Sequence, residues 1–344
     1  MDVAGGGHHV GMTTEGVPPE AELDDLAGVP WTVGLLVPSE GANLVGAPAG
    51  FTPVLELNDE EHSRLVSAVK DLNLFNLCRL AEPIHTAGLA FLEEVDTVTA
   101  SGAYFRGEPD AVMAVRTKFE ATLTAFTAAH RAVEAATKRL DVEYTDVLGD
   151  EFNLLRSENH WYLFVWQLRN LSQHHKFASD FIDVGLIDDA EVLTIDTSHV
   201  LEYADSLELG RNHRRPWTEL HRLLANKESV VPVSKILFEA RKAYDIFVAR
   251  MLARSAPYVC DKIELVGNAY AAAMAAGSGG VIVRREAGDT REQWVLDPRC
   301  FEGAVQTLNW MCEQMGMPLL YDIPEEGIFT EPPTMIWANH RKEE

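Results

Sequence analysis

Residues 161–177, WYLFVWQLRNLSQHHKF, decide how the middle of this chain is read. At about 100° per residue, Trp161, Phe164, Val165, Leu168, Leu171, His175 and Ala178 share one face of a helix. Tyr162, Leu163, Trp166, Phe177 and Phe181 share another. A helix apolar nearly all round is buried on more than one side. One face enters a helical core, which puts His175 among core residues as a hydrogen-bonded structural histidine. The other face packs within the same monomer or meets a second subunit. Arg169 and Lys176 edge this second face on one side, His174 and Gln167 on the other, with Asn170 and Gln173 between them.

The flanking sequence extends the helical reading. Asn58 followed by Glu61 is a capping box, in which each side chain satisfies a backbone N–H of the other residue. Leu65, Val66, Val69, Leu72 and Leu77 then recur at helical spacing. Pro83 breaks or kinks that helix, and a second helical stretch follows in TAGLAFLEEVDTVTA. Residues 110–140 are Ala-rich and almost free of breakers, which predicts one long helix. Residues 150–181 read as another, 182–210 as an acidic loop with short elements, and the Pro216 region as the opening of a further helix. The run VSKILFEARKAYDIFVARMLARSA is a long amphipathic helix. Residues 55–258 are therefore expected to be an all-α domain.

The two ends differ. Residues 1–54 are rich in Gly, Pro and small side chains. WTVGLLVP and FTPVLEL have strand character, but the punctuation favours a flexible N-terminal arm in which His8 and His9 are exposed and inert. At the other end, GGVIVRREAGDTREQWVLD reads as two strands joined by a turn around Gly288 and Asp289. CFEGAVQTLNWMCEQM reads as a helix and PLLYDI as a strand. Residues 259–344 are thus expected to be a small α+β unit. The fold class is mostly α: a helical bundle with a small C-terminal α+β appendage.

Composition limits the functions. The chain has 344 residues, 47% of them hydrophobic and 24% charged, which is ordinary for a globular protein. Its formal net charge is −24. Such a chain repels nucleic acid at long range, so any RNA contact needs a local basic patch. The clearest one is RNHRRPWTELHRLLANK, where Arg211, Arg214, Arg215, Arg222 and Lys227 face only Glu219. Trp217 within it has the chemistry to stack a base. Cys78, Cys260, Cys300 and Cys312 form no C-x-x-C pair, against a zinc knuckle. Sparse cysteine and an N-terminus without a basic and apolar leader point to the reducing cytoplasm. No uncharged apolar run reaches the roughly 18–20 residues that span a bilayer, so no membrane partner is expected.

The polar residues of the aromatic helix are the best candidates for chemistry. Adjacent His174 and His175 point about 100° apart on a helix and do not readily share one metal ion. No H-E-x-x-H, G-x-x-x-x-G-K-[ST] or G-x-S-x-G motif is present, and no metal or cofactor is expected. Histidine titrates near neutrality and moves protons, while arginine grips phosphate with a planar fork. Arg169 and His174 stand about 140° apart on the wheel, so a long Arg side chain or a second copy of the helix is needed to bring them onto one ligand. The alternatives are a non-catalytic RNA- or nucleotide-binding site, and a buried polar network that only orders the bundle.

Arg169-Asn170-x-x-x-His174 resembles the R-x(4–6)-H signature of HEPN domains, in which a polar residue often follows the Arg. Arg79–His85 and Arg215–His221 have similar spacing, but Pro83 and Pro216 interrupt them. The resemblance covers at most residues 55–258. It implies a HEPN-like helical bundle and a metal-independent endoribonuclease in a bacterial defence or toxin setting. It also implies a homodimer that brings two motifs to a shared cleft. On that reading Arg169, Asn170 and His174 are catalytic, and Gln173, Lys176, Arg211, Arg214, Arg215 and Trp217 contact RNA. Lys176 stands where toxin members with a nucleotidyltransferase partner carry a Tyr. The acidic surface suits a protein partner, an antitoxin among them. A non-catalytic helical interaction protein with the same fold is the alternative.

Overall fold

The structure is a computed structural model that describes residues 26, 28–37, 50–139, 142–175, 177–187, 190–208, 211–288 and 290–322. It is mostly helical, with two small antiparallel sheets. The chain divides into two compact units. One holds residues up to 73 with 259–305 and those from 320 onward; the other holds 74–258 and 306–319.

In the first unit, β1 (Trp31–Val37) pairs with β2 (Gly50–Leu57). It pairs on its other side with β6 (Gly280–Ala287), which pairs in turn with β7 (Thr290–Val295). The strand order is β2-β1-β6-β7. This corrects the expected arm for residues 31–37 and 50–54, and the expected all-α domain for 55–57: they are sheet, and β1 joins them to the C-terminal hairpin. Trp31, Val33 and Leu35 alternate inward and are buried, a period-two stripe that the surrounding Gly and Pro obscure. The rest of the expected arm, His8 and His9 included, lies outside the described residues. At Gly34 the β1–β2 register shifts. A Cβ there would stand 2.3 Å from the Thr52 carbonyl oxygen, so only glycine lets the strands approach this closely.

Helix α1 (Asp59–Leu74) begins with the expected capping box: Glu61 N donates to Asn58 Oδ1 and Asn58 N to Glu61 Oε2, both at 2.9 Å. The hairpin turn carries Gly288 at φ 58°, a left-handed conformation suited to glycine; Asp289 lies outside the described residues. Of the strand expected over 318–323, residues 318–322 do not form one, and Ile323 lies outside the described residues. Only Tyr321 makes a bridge, and it is buried.

The second unit opens with α2 (Leu77–Leu80) and α3 (Glu82–Ala100). Pro83 sits in the first turn of α3, where its missing N–H costs nothing, so it starts a helix rather than kinking one. Helix α4 (Pro109–Thr137) is the expected long helix. The single helix expected over 150–181 is instead α5 (Val142–Glu158) followed by α6 (His160–His174). Asn159 makes the break: its backbone is extended and its side chain accepts from Tyr162 N at 2.8 Å, an N-cap. A 3-10 turn at Ala178–Phe181 follows.

The stretch expected as an acidic loop with short elements is made largely of such elements: β3 (Ile182–Ile187), β4 (Ala190–Asp196) and α7 (Thr197–Ser206). Helix α8 (Arg211–Leu224) starts five residues before Pro216 rather than at it. The short β5 (Val230–Pro232) completes a β3-β4-β5 sheet. Helix α9 (Val233–Ala275) runs well past the expected end of the all-α domain at 258, and α10 (Arg299–Met315) is the last helix among the described residues. Helix α4 packs on α3, α5 and α6, and α6 on α8. The core is aromatic: Phe126 meets the rings of Tyr162 at 6.2 Å and Tyr244 at 6.3 Å, and Phe91 meets Phe119 at 5.6 Å.

Candidate functional site

Helix α6 carries the residues singled out from the sequence, and its burial follows its composition. Trp161, Tyr162, Leu163, Phe164, Val165, Gln167, Leu168 and Leu171 are all buried. The C-terminal turn is not. Gln173, His174 and His175 are exposed, and Asn170 is half-buried. His175 was expected to point into the core. It caps the helix instead, with φ −139° and ψ −79°, so the helical wheel no longer applies to it.

Glu120 on α4 holds this end in place. It accepts hydrogen bonds from the Ser172 hydroxyl and, at 2.9 Å, from the Ser179 backbone N–H. Beside it, Arg116 pairs with Asp180 at 3.2 Å. The turn bearing His174 is therefore tied to α4 on both flanks.

Arg169 is half-buried, and its Nη1 lies 3.5 Å from Asn170 Oδ1, at the outer limit of a hydrogen bond. Its Nε is buried without a hydrogen-bond partner. Burial, with the nearby Arg131 charge, lowers its affinity for a proton. No hydrogen bond, ion pair or ring contact among the described residues joins Arg169 to His174; the rings of His174 and His175 lie 6.5 Å apart.

A second cluster in the same unit is one that the sequence does not disclose. His130 of α4 lies 3.9 Å, ring to ring, from Phe152 of α5 and 4.8 Å from Trp166 of α6. The Arg156 guanidinium of α5 sits 5.6 Å from the Trp166 ring centroid, a cation–π distance. Trp166 in turn stacks at 6.3 Å with Tyr162. Burial, reinforced by Arg156 and Arg131 and opposed by Glu134, pushes the His130 imidazole down to about 4. It is neutral at physiological pH. The Tyr162 hydroxyl is raised by burial. His130 Nδ1, Arg156 Nε, Arg169 Nε and the Tyr162 hydroxyl are all buried without hydrogen-bond partners among the described residues. None of Arg131, Arg156 and Arg169 pairs with a carboxylate among the described residues. Arg106, Arg116 and Arg254 do, with Glu108, Asp180 and Glu151.

The basic island on α8 is only partly a surface. Arg214 and Arg215 are exposed, but Trp217 is 3% exposed. It cannot stack a base, because Trp217, Leu220 and Leu224 form the buried stripe of α8. Arg222 is engaged by Glu219 at 3.2 Å. The Arg211 side chain and Lys176 lie outside the described residues. Among the described residues no cluster of three His, Cys, Asp or Glu side chains has the arrangement to hold a metal ion. No helix among them is long and apolar enough to cross a membrane.

The His130–Trp166–Arg156 cluster draws on three helices. Only one feature of the sequence hints at it: His130-Arg131 interrupts the Ala-rich run of α4. Compared with known family models, curated proteins and solved structures, the chain matches none, so its function has to be argued from its own residues.

Proposed function

We propose that the protein is a metal-independent endoribonuclease of the HEPN type, acting as a homodimer. Arg169 holds the scissile phosphate, His174 moves the proton and Asn170 supports Arg169. The observation that carries the reading is Arg169 itself, a half-buried guanidinium with no carboxylate partner among the described residues, in a chain of net charge −24. An intramolecular carboxylate would neutralise it; its absence leaves the charge available to an incoming oxyanion. His174 supports the reading by its exposure one turn later, anchored through Ser172 to Glu120.

The chemistry divides between two copies. The 2′-oxygen of the RNA attacks phosphorus while one imidazole takes its proton. The bond to the 5′-oxygen breaks, and a second, protonated imidazole supplies that oxygen with a proton. The products are a 2′,3′-cyclic phosphate and a 5′-hydroxyl. Arg169 offsets charge on the phosphoryl oxygens. The exposed Arg214, Arg215 and Gln173, on α8 and the end of α6, serve the RNA backbone. The acidic remainder suits a protein partner such as an antitoxin.

The test is RNA cleavage with a chelator present. Wild type should yield 2′,3′-cyclic phosphate ends, and Arg169→Ala and His174→Ala should each lower the rate at least about a hundredfold. Undiminished cleavage by His174→Ala overturns the assignment. A second, non-catalytic reading, in which the helical unit binds RNA or a nucleotide without cleaving it, has one observation in its favour: among the described residues no hydrogen bond, ion pair or ring contact joins Arg169 to His174. Binding without cleavage by wild type would decide for it.

A further inference from the structure

We propose that Nδ1 of His85 is a phosphoryl-acceptor site, modified by a donor of the phosphoramidate class, the nitrogen–phosphorus bond type to which phosphohistidine itself belongs. The inference is independent of the proposed nuclease and uses residues to which that reading gives no task.

Three observations converge on it. First, His85, in the first turn of α3, places Nε2 against Asp245 of α9, 3.0 Å from Oδ1 and 3.1 Å from Oδ2. A carboxylate only accepts, so Nε2 carries the hydrogen, and in the neutral ring the lone pair is left on Nδ1. Among the described residues no other histidine is held by a buried carboxylate; Asp205, the partner of His221, is 63% exposed. Second, the two ends of the pair differ in their access to water. The Asp245 side chain is 10% exposed and that of His85 29%. Nδ1 makes no hydrogen bond among the described residues and is not closed off from water. One turn on, at Gly88, even an added Cβ would meet nothing within 4 Å, which leaves the approach over α3 open. Third, a cation is held beside the pair. Arg241 stands one turn before Asp245 on α9, with Nε 3.8 Å from Oδ2. Its guanidinium lies 5.6 Å from the ring centroid of Phe238, which is exposed. In a chain of net charge −24, local positive charge is what lets an anionic donor approach.

The chemistry follows from the tautomer. The Nδ1 lone pair attacks phosphorus. The P–N bond of the donor breaks, and its electron pair leaves with the nitrogen, which departs from phosphoramidate as ammonia. The imidazole gains a positive charge while its Nε2 proton stays in the contact with Asp245. The carboxylate offsets that charge, as an aspartate does beside a histidine turned imidazolium. Arg241 favours an anionic phosphoryl donor over a neutral acyl donor.

The experiment is incubation of the full chain with potassium phosphoramidate near neutral pH. Labelled positions are mapped by mass spectrometry, and the ring isomer is read by phosphorus NMR. His85 should be labelled first, on Nδ1, and at least about tenfold faster than His174 and His175. Those two are exposed and report the reactivity of an unassisted imidazole in the same sample. Asp245→Asn should lower the His85 rate roughly tenfold and leave His174 and His175 unchanged. Arg241→Gln should lower it less, and added salt should slow wild type, since both act on the attraction of the anion. A merely structural pair predicts the reverse order, with the partly covered His85 slower than the exposed histidines. Order and ring position are read on wild type, so the test stays decisive if Asp245→Asn fails to fold. No label on His85, label on its Nε2, or His174 and His175 labelled as fast as His85 overturns the proposal.

Discussion

The Trp294 indole donates its Nε1 hydrogen to Nε2 of His62 at 3.1 Å. The same imidazole lies flat on Trp31, ring centroids 3.6 Å apart and planes 5° from parallel. With Nε2 accepting, the proton of the neutral ring is on Nδ1. Burial lowers the His62 pKa; Arg285 adds to this, and Glu292 and Asp59 oppose it.

The sign of the consequence follows. The folded pKa lies below the unfolded value of about 6.5, so the stabilisation is complete above pH 6.5 and is lost as pH falls toward the folded pKa. Acidifying the protein from pH 7 to 5 should lower its urea midpoint. His62→Phe keeps the stack, leaves the indole N–H without its acceptor at a cost of about 1 kcal/mol at pH 7, and flattens the acid response. An unchanged acid slope in this variant would locate the sensitivity elsewhere.

His130 responds in the same direction over a defined window. Its pKa of about 4 in the folded protein means that stability erodes between about pH 6.5 and 4 as protonation favours the unfolded chain. In Arg156→Gln the midpoint of its NMR titration should move upward, because one depressing charge is gone. A midpoint that stays near 4 would leave burial alone as the cause.

Two buried tyrosines should behave oppositely on removal of their hydroxyls. Tyr244 donates to the Leu80 carbonyl at 3.0 Å inside the core, so Tyr244→Phe should cost roughly 1–2 kcal/mol in chemical denaturation. The Tyr162 hydroxyl has no partner among the described residues, so Tyr162→Phe should be neutral or stabilising. Equal losses in the two variants would refute the assignment of these hydrogen bonds.

Gly34→Ala should be severe for its size. The new methyl would meet the Thr52 carbonyl oxygen at 2.3 Å and the Phe51 ring at 2.6 Å. Overpacking against backbone should cost about 3 kcal/mol and lower the melting temperature by several degrees. Gly50→Ala, where a Cβ meets nothing within 4 Å, is the control and should be silent.

Helices whose signals are local were legible in the residues. The Asn58–Glu61 box and the breaker-free run of α4 are instances, since both depend on neighbours within a turn or on an unbroken apolar period. The C-terminal hairpin was legible for the same reason. Elements whose evidence is distant were not. Trp31, Val33 and Leu35 form a short stripe among Gly and Pro, and β1 becomes a strand because β6, some 250 residues away, supplies its second edge. Asn159 ends α5 and caps α6 with a side-chain hydrogen bond that no periodicity reports.

The sequence by itself determined a mostly helical chain, a greasy helical stretch within 150–181, and an arginine and a histidine toward that stretch's polar end. Periodicity and chemistry are properties of the chain, so they survive without coordinates. Only the tertiary structure decided that Trp217 is core, that His175 faces water, and that His130 of α4 and Arg156 of α5 meet Trp166 of α6. Burial and charge pairing depend on what other segments bring to each side chain, and those segments are dozens of residues away.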